Sequence, residues 1–493
     1  MSQSTTPLLI SGQLRPASNG ATYEVRNPGT GKLVHTAAAA SKDDCTNAIE
    51  AAGKAFETWR LTRPSERAAI FRKAGELITS DEYKDKIVQT VVAETATEPS
   101  WAFWSNIFFC RKLFDEAADM PYELRGQILP ADFGDRSFVA KRPMGVIFVI
   151  APWNAPVSLS VMTTLPALAA GNAIVLKTSE VSPASQLIVR VGEILKKAGL
   201  PDGVFNVIHT AKEDSGDRVS QIIAHPLVRK IGFTGSDRIG RIIATEAAKH
   251  LKPCVLELGG KAPSIVLNDA TLDVAARGII AGAFLHSGQT CVATERVIVQ
   301  RQVSSQLIQN IVDIAKRLKS GDVFKSNPDA QLGPQFCEAS AENIIGMVKE
   351  AVDGGAKLLV GDLKREGAFV QPHVVLDAKP GTRLWDREIF GPVLTITVVD
   401  TIYEAIELAN ASTYTLTSSL WTSNMQTAFE ISERVRADNV IVNGMTMATE
   451  AKYNQAGLGG SSGYGKFKVD EFVNEQLIMF HDPAKQKFPV VEQ

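Results

Sequence analysis

Short apolar runs alternate with amphipathic stretches through the middle of the chain. The run Val-Ile-Phe-Val-Ile at 146–150 is apolar at every position, which is typical of parallel strands covered by helices on both faces of a sheet. Successive runs begin 24 to 31 residues apart, the length of one strand and one crossover helix. The pattern predicts a doubly wound α/β domain. Its predicted strands are 146–150, 173–177, 204–208, 230–233 and 254–258.

A crossover helix is predicted after Pro183, because apolar residues recur there with helical spacing and Gly199 then ends the pattern. The predicted apolar stripe consists of Leu187, Val191, Ile194, Leu195 and Ala198.

The rest of the chain predicts a second α/β unit and a smaller element. Helices are predicted at 272–284 and 338–352, and strands at 292–299, 357–360 and 439–443. The polar segment 127–142, broken by Pro130 and Gly134, predicts a protruding β-ribbon that pairs with the last twenty residues.

Composition narrows the classes of function. A chain of 493 residues implies two or three domains, and 45% hydrophobic with 22% charged residues is ordinary for a soluble globular protein. The net charge of −2 gives no electrostatic case for nucleic acid or an anionic membrane. No apolar run reaches about 18 residues, and no basic region with an apolar core opens the chain. The five cysteines form no C-x-x-C pair, which favours free thiols and a cytoplasmic location.

Small and polar residues stand directly after four predicted strands, at 151–154, 177–180, 233–236 and 257–260. Because ligands of open α/β sheets bind beyond the carboxyl ends of the strands, these segments are expected to line a cleft. Ser179 and Ser236 also suit helix N-caps, which leaves a structural role open at single positions.

Two of these segments indicate a dinucleotide. A carboxylate such as Glu180, beside Lys177, accepts hydrogen bonds from ribose hydroxyls and repels a 2′-phosphate, which favours NAD over NADP. The segment 235–240 opens a helix, where backbone N–H groups and the helix dipole favour a pyrophosphate. The chain contains no G-x-G-x-x-G, so the usual dinucleotide fingerprint is absent.

A thiol and a carboxylate carry the candidate chemistry. Cys291 follows Gly288-Gln289-Thr290, and Glu257 lies at the end of an apolar predicted strand. The pairing suits a covalent mechanism in which a thiolate captures a carbonyl and a carboxylate later activates water. Each residue alone has a structural alternative, because free cysteines are often buried and most glutamates are solvated.

Five ordered motifs show that the chain resembles the aldehyde dehydrogenase family over nearly its whole length. They are Pro-Trp-Asn at 152–154, Phe-Thr-Gly-Ser at 233–236, Glu-Leu-Gly-Gly-Lys at 257–261, Gly-Gln-Thr-Cys at 288–291 and Glu-Ile-Phe-Gly-Pro at 388–392. The resemblance implies NAD bound on a Rossmann-like domain without the usual glycine fingerprint. It also implies oxidation of an aldehyde to the acid through a thiohemiacetal and a thioester.

The resemblance also implies roles for single residues. Cys291 resembles the nucleophile, Glu257 the general base, and Asn154 the oxyanion-hole amide that acts with the Cys291 backbone N–H. Lys177 and Glu180 match the ligands of the adenosine ribose. The cofactor-binding residues implied are Trp153, Lys177, Ser179, Glu180, Gly235, Ser236, Gly240, Leu258, Glu388 and Phe390. Among them, Gly235 and Ser236 match the pyrophosphate turn, Glu388 matches the nicotinamide-ribose ligand, and Phe390 packs near the nicotinamide.

The domain organisation expected from the resemblance has three parts. An NAD-binding domain comprises 1–124 and 145–256, a catalytic domain comprises 257–470, and an oligomerisation element comprises 125–144 and 471–493. A homodimer or homotetramer is expected.

The substrate expected is an aromatic aldehyde. Ala155 stands where the family often has Phe, and with Thr294-Glu295-Arg296 and the segment 250–253 it resembles the salicylaldehyde, vanillin and benzaldehyde dehydrogenases. The aromatic residues that can line the pocket, or simply pack a helix, are Trp101, Phe103, Trp104, Phe108 and Phe109. One departure is the segment 455–460, Gln-Ala-Gly-Leu-Gly-Gly, where the family usually has Pro-Phe-Gly-Gly and forms part of the substrate mouth.

Several alternatives stay open from the sequence. They are an aliphatic or semialdehyde dehydrogenase, a CoA-acylating relative that Glu257 argues against, and a non-catalytic protein that kept the fold. His286 lies five residues before Cys291, so a Cys-His hydrolase is considered, although His286 suits a helix end or the core better. The seven histidines show no metal-binding spacing, so no metal is expected.

Overall fold

Two large and mainly parallel sheets organise the chain, and helices cover their faces. The computed structural model describes residues 5–187, 193–322, 330–453, 456–486, 488 and 490. The predicted α/β class is confirmed, because parallel strands are joined by crossover helices. No helix within these ranges is long and apolar enough to cross a membrane.

The first sheet carries the five strands predicted from the apolar runs. These five run parallel, and every residue of Val146–Ile150 and of Ala173–Lys177 is buried, as a doubly covered sheet requires. Antiparallel strands complete both edges. The order across the sheet is Gly463–Tyr464, Cys254–Glu257, Val228–Thr234, Val146–Ile150, Ala173–Lys177, Phe205–Ile208, Leu8–Ile10 and Gln13–Arg15.

The predicted bounds of these strands differ from the observed ones by one or two residues. Phe205–Ile208 begins one residue late, and Val228–Thr234 extends further at both ends. The assignment of residue 258 to a strand is wrong. The Leu258 N–H donates to the Ser462 carbonyl at 3.1 Å, where the chain turns out of the sheet.

The crossover helix predicted after Pro183 is described in two pieces, Pro183–Leu187 and Glu193–Ala198. Val191, predicted on its apolar stripe, lies outside the described residues. Gly199 follows with a φ of 108°, a left-handed conformation that ends a helix readily. The other members of the stripe are buried, namely Leu187, Ile194, Leu195 and Ala198.

The second sheet confirms the second α/β unit. Its strands are parallel except at one edge, in the order Lys357–Val360, His373–Leu376, Val393–Val399, Thr294–Gln300, Ala262–Val266, Thr417–Trp421 and Asn439–Val442. The strand predicted at 292–299 is displaced, because residues 292 and 293 belong to the turn after Cys291. The predicted end at 443 is one residue too long, since Asn443 has a left-handed φ of 54°.

An antiparallel ribbon forms where it was predicted. Arg136–Pro143 pairs with Gln127–Leu129 on one side and with Val473–Phe480 on the other. Ile128 is 91% exposed, which leaves an apolar side chain of the ribbon facing away from this chain.

The remaining elements cover the two sheets or extend from them. The other strands are Thr5–Thr6, Thr22–Arg26, Leu33–Ala38, Arg365–Glu366 and Phe369–Val370. The other helices are Lys42–Trp59, Pro64–Ile78, Lys84–Thr95, Pro99–Phe103, Phe109–Glu123, Pro156–Ala169, Ser215–Ala224, Asp237–Lys249, Leu272–Phe284, Arg301–Ala315, Glu338–Asp353, Arg383–Asp386, Ile402–Asn410 and Met425–Ser432. A π-helical turn spans Trp104–Phe108, and short 3₁₀ turns span Leu285–Gly288, Gly460–Ser462, Val469–Phe472 and Pro483–Lys485.

The two sheets are joined by a short passage of backbone. Cys254–Glu257 is a strand of the first sheet, Ala262–Val266 is a strand of the second, and only residues 258–261 lie between them. Glu257 is therefore the last residue of its strand, at the carboxyl edge of the first sheet, and the second sheet begins at Ala262. This junction is the edge at which ligands of open α/β sheets bind.

Candidate active site

A cavity of about 580 Å³ lies at this junction, and three sequence-predicted residues share its wall. They are Asn154, Glu257 and Cys291, which come from three separate segments of the chain. Most of the remaining wall is apolar or aromatic, including Leu159, Met162, Leu285, Val292, Met445 and Met447. A polar cluster at one point of an apolar cavity is typical of a small-molecule site.

The thiol and the carboxylate are in direct contact. Cys291 Sγ lies 3.7 Å from Glu257 Oε1, and the S–H donates to this carboxylate. The other carboxylate oxygen, Oε2, accepts from the Thr234 hydroxyl at 3.3 Å. Glu257 is only 3% exposed, so it is not the solvated surface carboxylate of the structural alternative.

Burial governs the protonation of both groups. It raises the pKa of Glu257 to about 7, although the hydrogen bonds from Cys291 and Thr234 oppose this rise. Burial also raises the pKa of the Cys291 thiol well above its usual value, and the charges of Glu257 and Glu388 raise it further. The resting thiol therefore keeps its proton near neutral pH, while Glu257 exchanges its proton readily there.

Glycines let three loops meet around Cys291. A Cβ at Gly260 would lie 2.0 Å from the Cys291 carbonyl oxygen, and a Cβ at Gly288 would lie 2.2 Å from the Gly391 carbonyl oxygen. Gly288 also has a left-handed φ of 73°. The cysteine loop, residues 288–291, is thus packed against the 258–261 passage and the 388–392 segment. No side chain fits at Gly260 or Gly288.

Asn154 is held close to the cysteine loop. Its Nδ2 donates to the Gln289 carbonyl at 3.1 Å, and its side chain lines the same cavity as Cys291. A carboxamide nitrogen carries two N–H donors, so one of them can face an oxygen bound in the cavity.

Lys177 and Glu180 are also brought together. Lys177 is buried, and its Nζ donates to the Thr178 carbonyl at 3.0 Å. Burial lowers the pKa of Lys177, and the nearby Glu180 charge opposes this shift. Ser179 is not a helix N-cap, because the helix begins only at Pro183; its Oγ accepts from the Val181 N–H at 3.3 Å.

The helix Asp237–Lys249 begins beside these strand ends. Ser236 occupies its N-cap position, as the structural alternative predicted, but within the described residues its hydroxyl makes no capping bond. A Cβ at Gly240 would lie 2.5 Å from Leu258 Cδ2, so the glycine allows Leu258 to pack on the first turn. The Gly235 N–H donates to the Glu257 carbonyl at 3.1 Å.

These residues fit a pyrophosphate-containing cofactor. The helix start presents backbone N–H groups that its N-cap hydroxyl leaves unbonded within the described residues, and Gly235 precedes it without a side chain. A dinucleotide bound here would have its phosphates at Gly235 and Ser236, and its adenosine ribose at Lys177 and Glu180.

The 388–392 segment is bonded to the passage that joins the two sheets. Glu388 Oε1 accepts from the Gly260 N–H at 2.9 Å, and burial raises the pKa of Glu388 well above its usual value. Phe390 meets Trp153 edge-on, with ring centroids 6.0 Å apart. Trp153 and Phe390 are therefore in ring contact, and Glu388, two residues before Phe390, is bonded to the 258–261 passage.

His286 does not pair with the cysteine. Its Nδ1 is hydrogen-bonded to the Thr97 hydroxyl at 2.7 Å, and its ring stacks on Trp101 at 5.8 Å. Burial lowers the pKa of His286 to about 3, so it is a neutral core residue. No group of three metal-ligating side chains occurs among the described residues.

An aromatic wall closes one side of the cavity. Of the five aromatic residues considered from the sequence, Trp101, Trp104, Phe108 and Phe109 line the cavity. Phe103 does not, and instead borders a separate surface groove. Ala155 also lines the cavity, and a larger side chain at this position would reduce its volume.

Sequence reasoning missed one part of the cavity wall. Met445, Met447, Ala448, Thr449 and Glu450 line the cavity, and they precede the segment 455–460 that the resemblance implied for its mouth. In that segment Gln455 lies outside the described residues. Downstream of it, the Ser462 hydroxyl donates to the Gly259 carbonyl at 2.7 Å and supports the 258–261 passage. Met445 and Met447 follow no motif that could have identified them.

Similarity to known proteins indicates the family of the chain. A sequence model of the aldehyde dehydrogenase family matches residues 15–479. The chain is 37% identical to a vanillin dehydrogenase from Pseudomonas fluorescens over 94% of both chains. It is 34% identical to an NAD(+) benzaldehyde dehydrogenase from Pseudomonas putida over 96% of both. A crystal structure of a salicylaldehyde dehydrogenase from Pseudomonas putida G7, complexed with salicylaldehyde, superposes with a TM-score of 0.93 at 32% identity, covering 98% of this chain and 99% of that one.

The fold and the site thus define an NAD(P)-linked oxidoreductase of the α/β class. The chain belongs to the aldehyde dehydrogenase family.

The contact between Cys291 and Glu257 generates a prediction about thiol reactivity. The Glu257→Gln variant should react faster with iodoacetamide at pH 8, because it removes a negative charge that raises the thiol pKa. Each unit of fall in the pKa increases the thiolate about tenfold and lowers its nucleophilicity, for a net gain of about threefold. Mass spectrometry of the Cys291 peptide measures the rate, with Cys337 as an internal reference. Slower alkylation would mean that the carboxylate removes the thiol proton in the resting enzyme.

Proposed function

We propose that the chain oxidises an aromatic aldehyde to its carboxylic acid, with NAD as the preferred cofactor and Cys291 as the nucleophile. The observation that carries this proposal is the 3.7 Å contact between Cys291 Sγ and Glu257 Oε1 in an apolar, aromatic-walled cavity. A thiol beside a buried carboxylate of raised pKa supplies both a nucleophile and a base at one place.

The first half of the reaction uses Cys291 and Asn154. The thiol proton is lost to solvent, and the thiolate sulfur forms a bond to the aldehyde carbon as the carbonyl π bond breaks. The carbonyl oxygen becomes an oxyanion, which the Asn154 side chain and the Cys291 backbone N–H stabilise. When the oxyanion re-forms a carbonyl, the C–H bond of the former aldehyde carbon breaks, and its hydride leaves to NAD, which supplies the hydride acceptor when bound. Cys291 is then left as a thioester.

The second half of the reaction uses Glu257. Its carboxylate removes a proton from water, and the resulting hydroxide attacks the thioester carbon. The carbon–sulfur bond breaks, which releases the acid and restores the thiolate. A pKa of about 7 suits this base, since proton transfer is most efficient when the pKa lies near the working pH. The position of Glu257 also favours water over CoA as the acyl acceptor, because water depends on a base to become a good nucleophile, whereas a thiol ionises far more readily by itself.

The preference for NAD rests on Glu180. The carboxylate lies close enough to the buried Lys177 to influence its pKa. A ribose bound at this pair meets an acceptor for its hydroxyls, whereas a 2′-phosphate meets a negative charge. The named cofactor of the related benzaldehyde dehydrogenase is consistent with this preference.

The preference for an aromatic ring rests on the cavity. The side chains of Trp101, Trp104, Phe108 and Phe109 line the cavity, with the Trp104 and Phe108 rings 4.7 Å apart, and the small side chain of Ala155 lines it as well. Flat apolar rings pack well against such a wall. The relatives named for vanillin, benzaldehyde and salicylaldehyde share this substrate class.

Assembly, domain division and location complete the proposal. The exposed apolar residues of the ribbon, Ile128, Leu477 and Phe480, support a homodimer or homotetramer formed through 125–144 and 471–493.

The NAD-binding and catalytic domains would follow the first and second sheets, although the strand Gly463–Tyr464 returns to the first sheet. All five cysteines are described and are free thiols, which supports a reducing, cytoplasmic setting.

Two variants separate the halves of the reaction. Cys291→Ala should lower NADH formation by at least about ten-thousand-fold while NAD still binds. Glu257→Gln should give one burst of NADH per site and then a steady rate about a hundred- to ten-thousand-fold lower, because thioester hydrolysis lacks its base. Stopped-flow absorbance of NADH with benzaldehyde measures both. Near-normal turnover by Cys291→Ala would refute the covalent step, and a missing burst would assign Glu257 to the first half.

The role of Glu180 can be tested through cofactor choice. Glu180→Gln should raise kcat/KM for NADP relative to NAD by about tenfold or more, because a like-charge repulsion is removed. Steady-state rates with each cofactor measure the ratio. Glu433→Gln, an exposed carboxylate of the second unit, serves as the control. An unchanged ratio in Glu180→Gln would contradict the ribose argument.

The role of Ala155 can be tested through substrate choice. Ala155→Phe should lower kcat/KM for benzaldehyde relative to acetaldehyde by about tenfold, because the added ring occupies cavity volume beside the aromatic wall. Ala155→Ser, which adds one atom, should leave the ratio nearly unchanged. Equal losses for both aldehydes in Ala155→Phe would place the substrate ring elsewhere.

A further inference from the structure

We propose that Glu295 is a positioning residue that holds the backbone turn carrying Glu388 and Phe390 against the cysteine loop. This inference rests on the proposed function and on the roles that the family resemblance implies for Glu388 and Phe390, beside the nicotinamide half of the cofactor. Glu295 lies four residues after Cys291, on the strand Thr294–Gln300, and lines no part of the catalytic cavity in the described chain.

The hydrogen bonds of Glu295 point to the turn. Its Oε1 accepts from the Ile389 N–H at 2.9 Å and from the Phe390 N–H at 3.1 Å. Its Oε2 lies 3.1 Å from the same Ile389 nitrogen. One carboxylate therefore binds two consecutive backbone N–H groups, directly after the residue that matches the nicotinamide-ribose ligand.

The turn requires such support. Phe390 has a φ of 55°, a left-handed conformation that is uncommon for a bulky side chain. Conformations of this kind persist only where surrounding contacts determine them. The two N–H bonds to Glu295 fix the two consecutive peptides on either side of the Ile389 Cα, and so set the backbone from which the Phe390 ring projects.

Lys261 completes the arrangement from the other side of the cleft. Its Nζ lies 2.6 Å from Glu295 Oε2, and both side chains are almost fully buried. Lys261 is adjacent to Gly260, whose N–H binds Glu388 Oε1 at 2.9 Å. The 258–261 passage, the strand after Cys291 and the 388–390 turn are thus linked in a closed set of contacts.

A buried ion pair that only stabilises two strands is the simpler interpretation. Such pairs contribute little net stability, because desolvation of both charges offsets their attraction. That interpretation accounts for Lys261 and Glu295 but leaves the two N–H bonds from the turn without a role. The two N–H bonds also predict where loss of Glu295 acts. It should disturb the nicotinamide half of the bound cofactor and not the adenosine half at Lys177 and Glu180.

A matched pair of double variants separates these interpretations. Lys261→Met with Glu295→Met removes the charges and the acceptor of both N–H bonds. Lys261→Met with Glu295→Gln removes the same charges but keeps one side-chain oxygen where Oε1 accepts both bonds. Neither leaves one partner of the Lys261–Glu295 pair as a charge without the other. Glu295→Asp keeps the charge pair and withdraws the carboxylate from the turn by one methylene, and it decides the question if the first double variant does not fold.

The measurements are kcat and KM for NAD with benzaldehyde, NAD affinity from quenching of protein fluorescence, and the isotope effect of benzaldehyde deuterated at the aldehyde carbon. The Met/Met variant and Glu295→Asp should lose about ten- to hundredfold in kcat. Their isotope effect should increase, because misplacement makes hydride transfer limiting. Their NAD affinity should change less than about threefold, and the Met/Gln variant should recover most of the turnover.

Equal kinetics for the two double variants, or an unchanged kcat in folded Glu295→Asp, would overturn the positioning role. A loss of NAD affinity matching the loss in kcat would also overturn it, because the effect would then be general to the cleft. If the wild-type chain forms no NADH from any aldehyde, the proposed function itself has failed, and the inference fails with it.

Discussion

The close approach of backbone at Gly260 to the carbonyl of Cys291 is the constraint on which the rest of the site depends. A single added carbon at Gly260 would fall 2.0 Å from that oxygen. Because Gly260 has no side chain, the passage 258–261 at the end of the first sheet packs directly against the loop that carries Cys291. Glu257 then lies in hydrogen-bonding distance of the thiol, and the same burial that joins them raises the pKa of both groups. Reactivity here is a consequence of how two sheets are joined.

Much of this could be predicted from the sequence, because apolar runs and strand-end loops report directly on a parallel sheet. The strands Val146–Ile150 and Ala173–Lys177 lie where their patterns place them, and Asn154, Glu257 and Cys291 share one cavity. These residues follow strands or tight glycine turns, whose geometry is local. The neutral, core position of His286 also agrees with the expectation from the sequence.

Other features could not be predicted, since they depend on contacts between distant segments. The two-residue strand Gly463–Tyr464 has no pattern of its own and exists only because it pairs with Leu256 and Glu257. The part of the cavity wall between Met445 and Glu450 and the bonds from Glu295 to the 388–390 turn likewise depend on contacts between distant segments. Sequence motifs drew attention to Glu388 and Phe390. Glu295, which supports their turn, appeared in the sequence analysis only as part of Thr294-Glu295-Arg296, a feature of the resemblance to the aromatic aldehyde dehydrogenases.

The π-helical turn at Trp104–Phe108 has a consequence for how the cavity could diversify. A π turn contains one residue more than an α turn, so deleting a single residue would regularise the helix. The helix on either side would keep its rotational phase, because the extra residue is absorbed within the wider turn. Trp104 and Phe108 lie at the two ends of that turn, so its loss would change how far apart their rings project into the cavity. A change of one residue in this helix would thus reshape the aromatic wall without moving the sheets or the thiol.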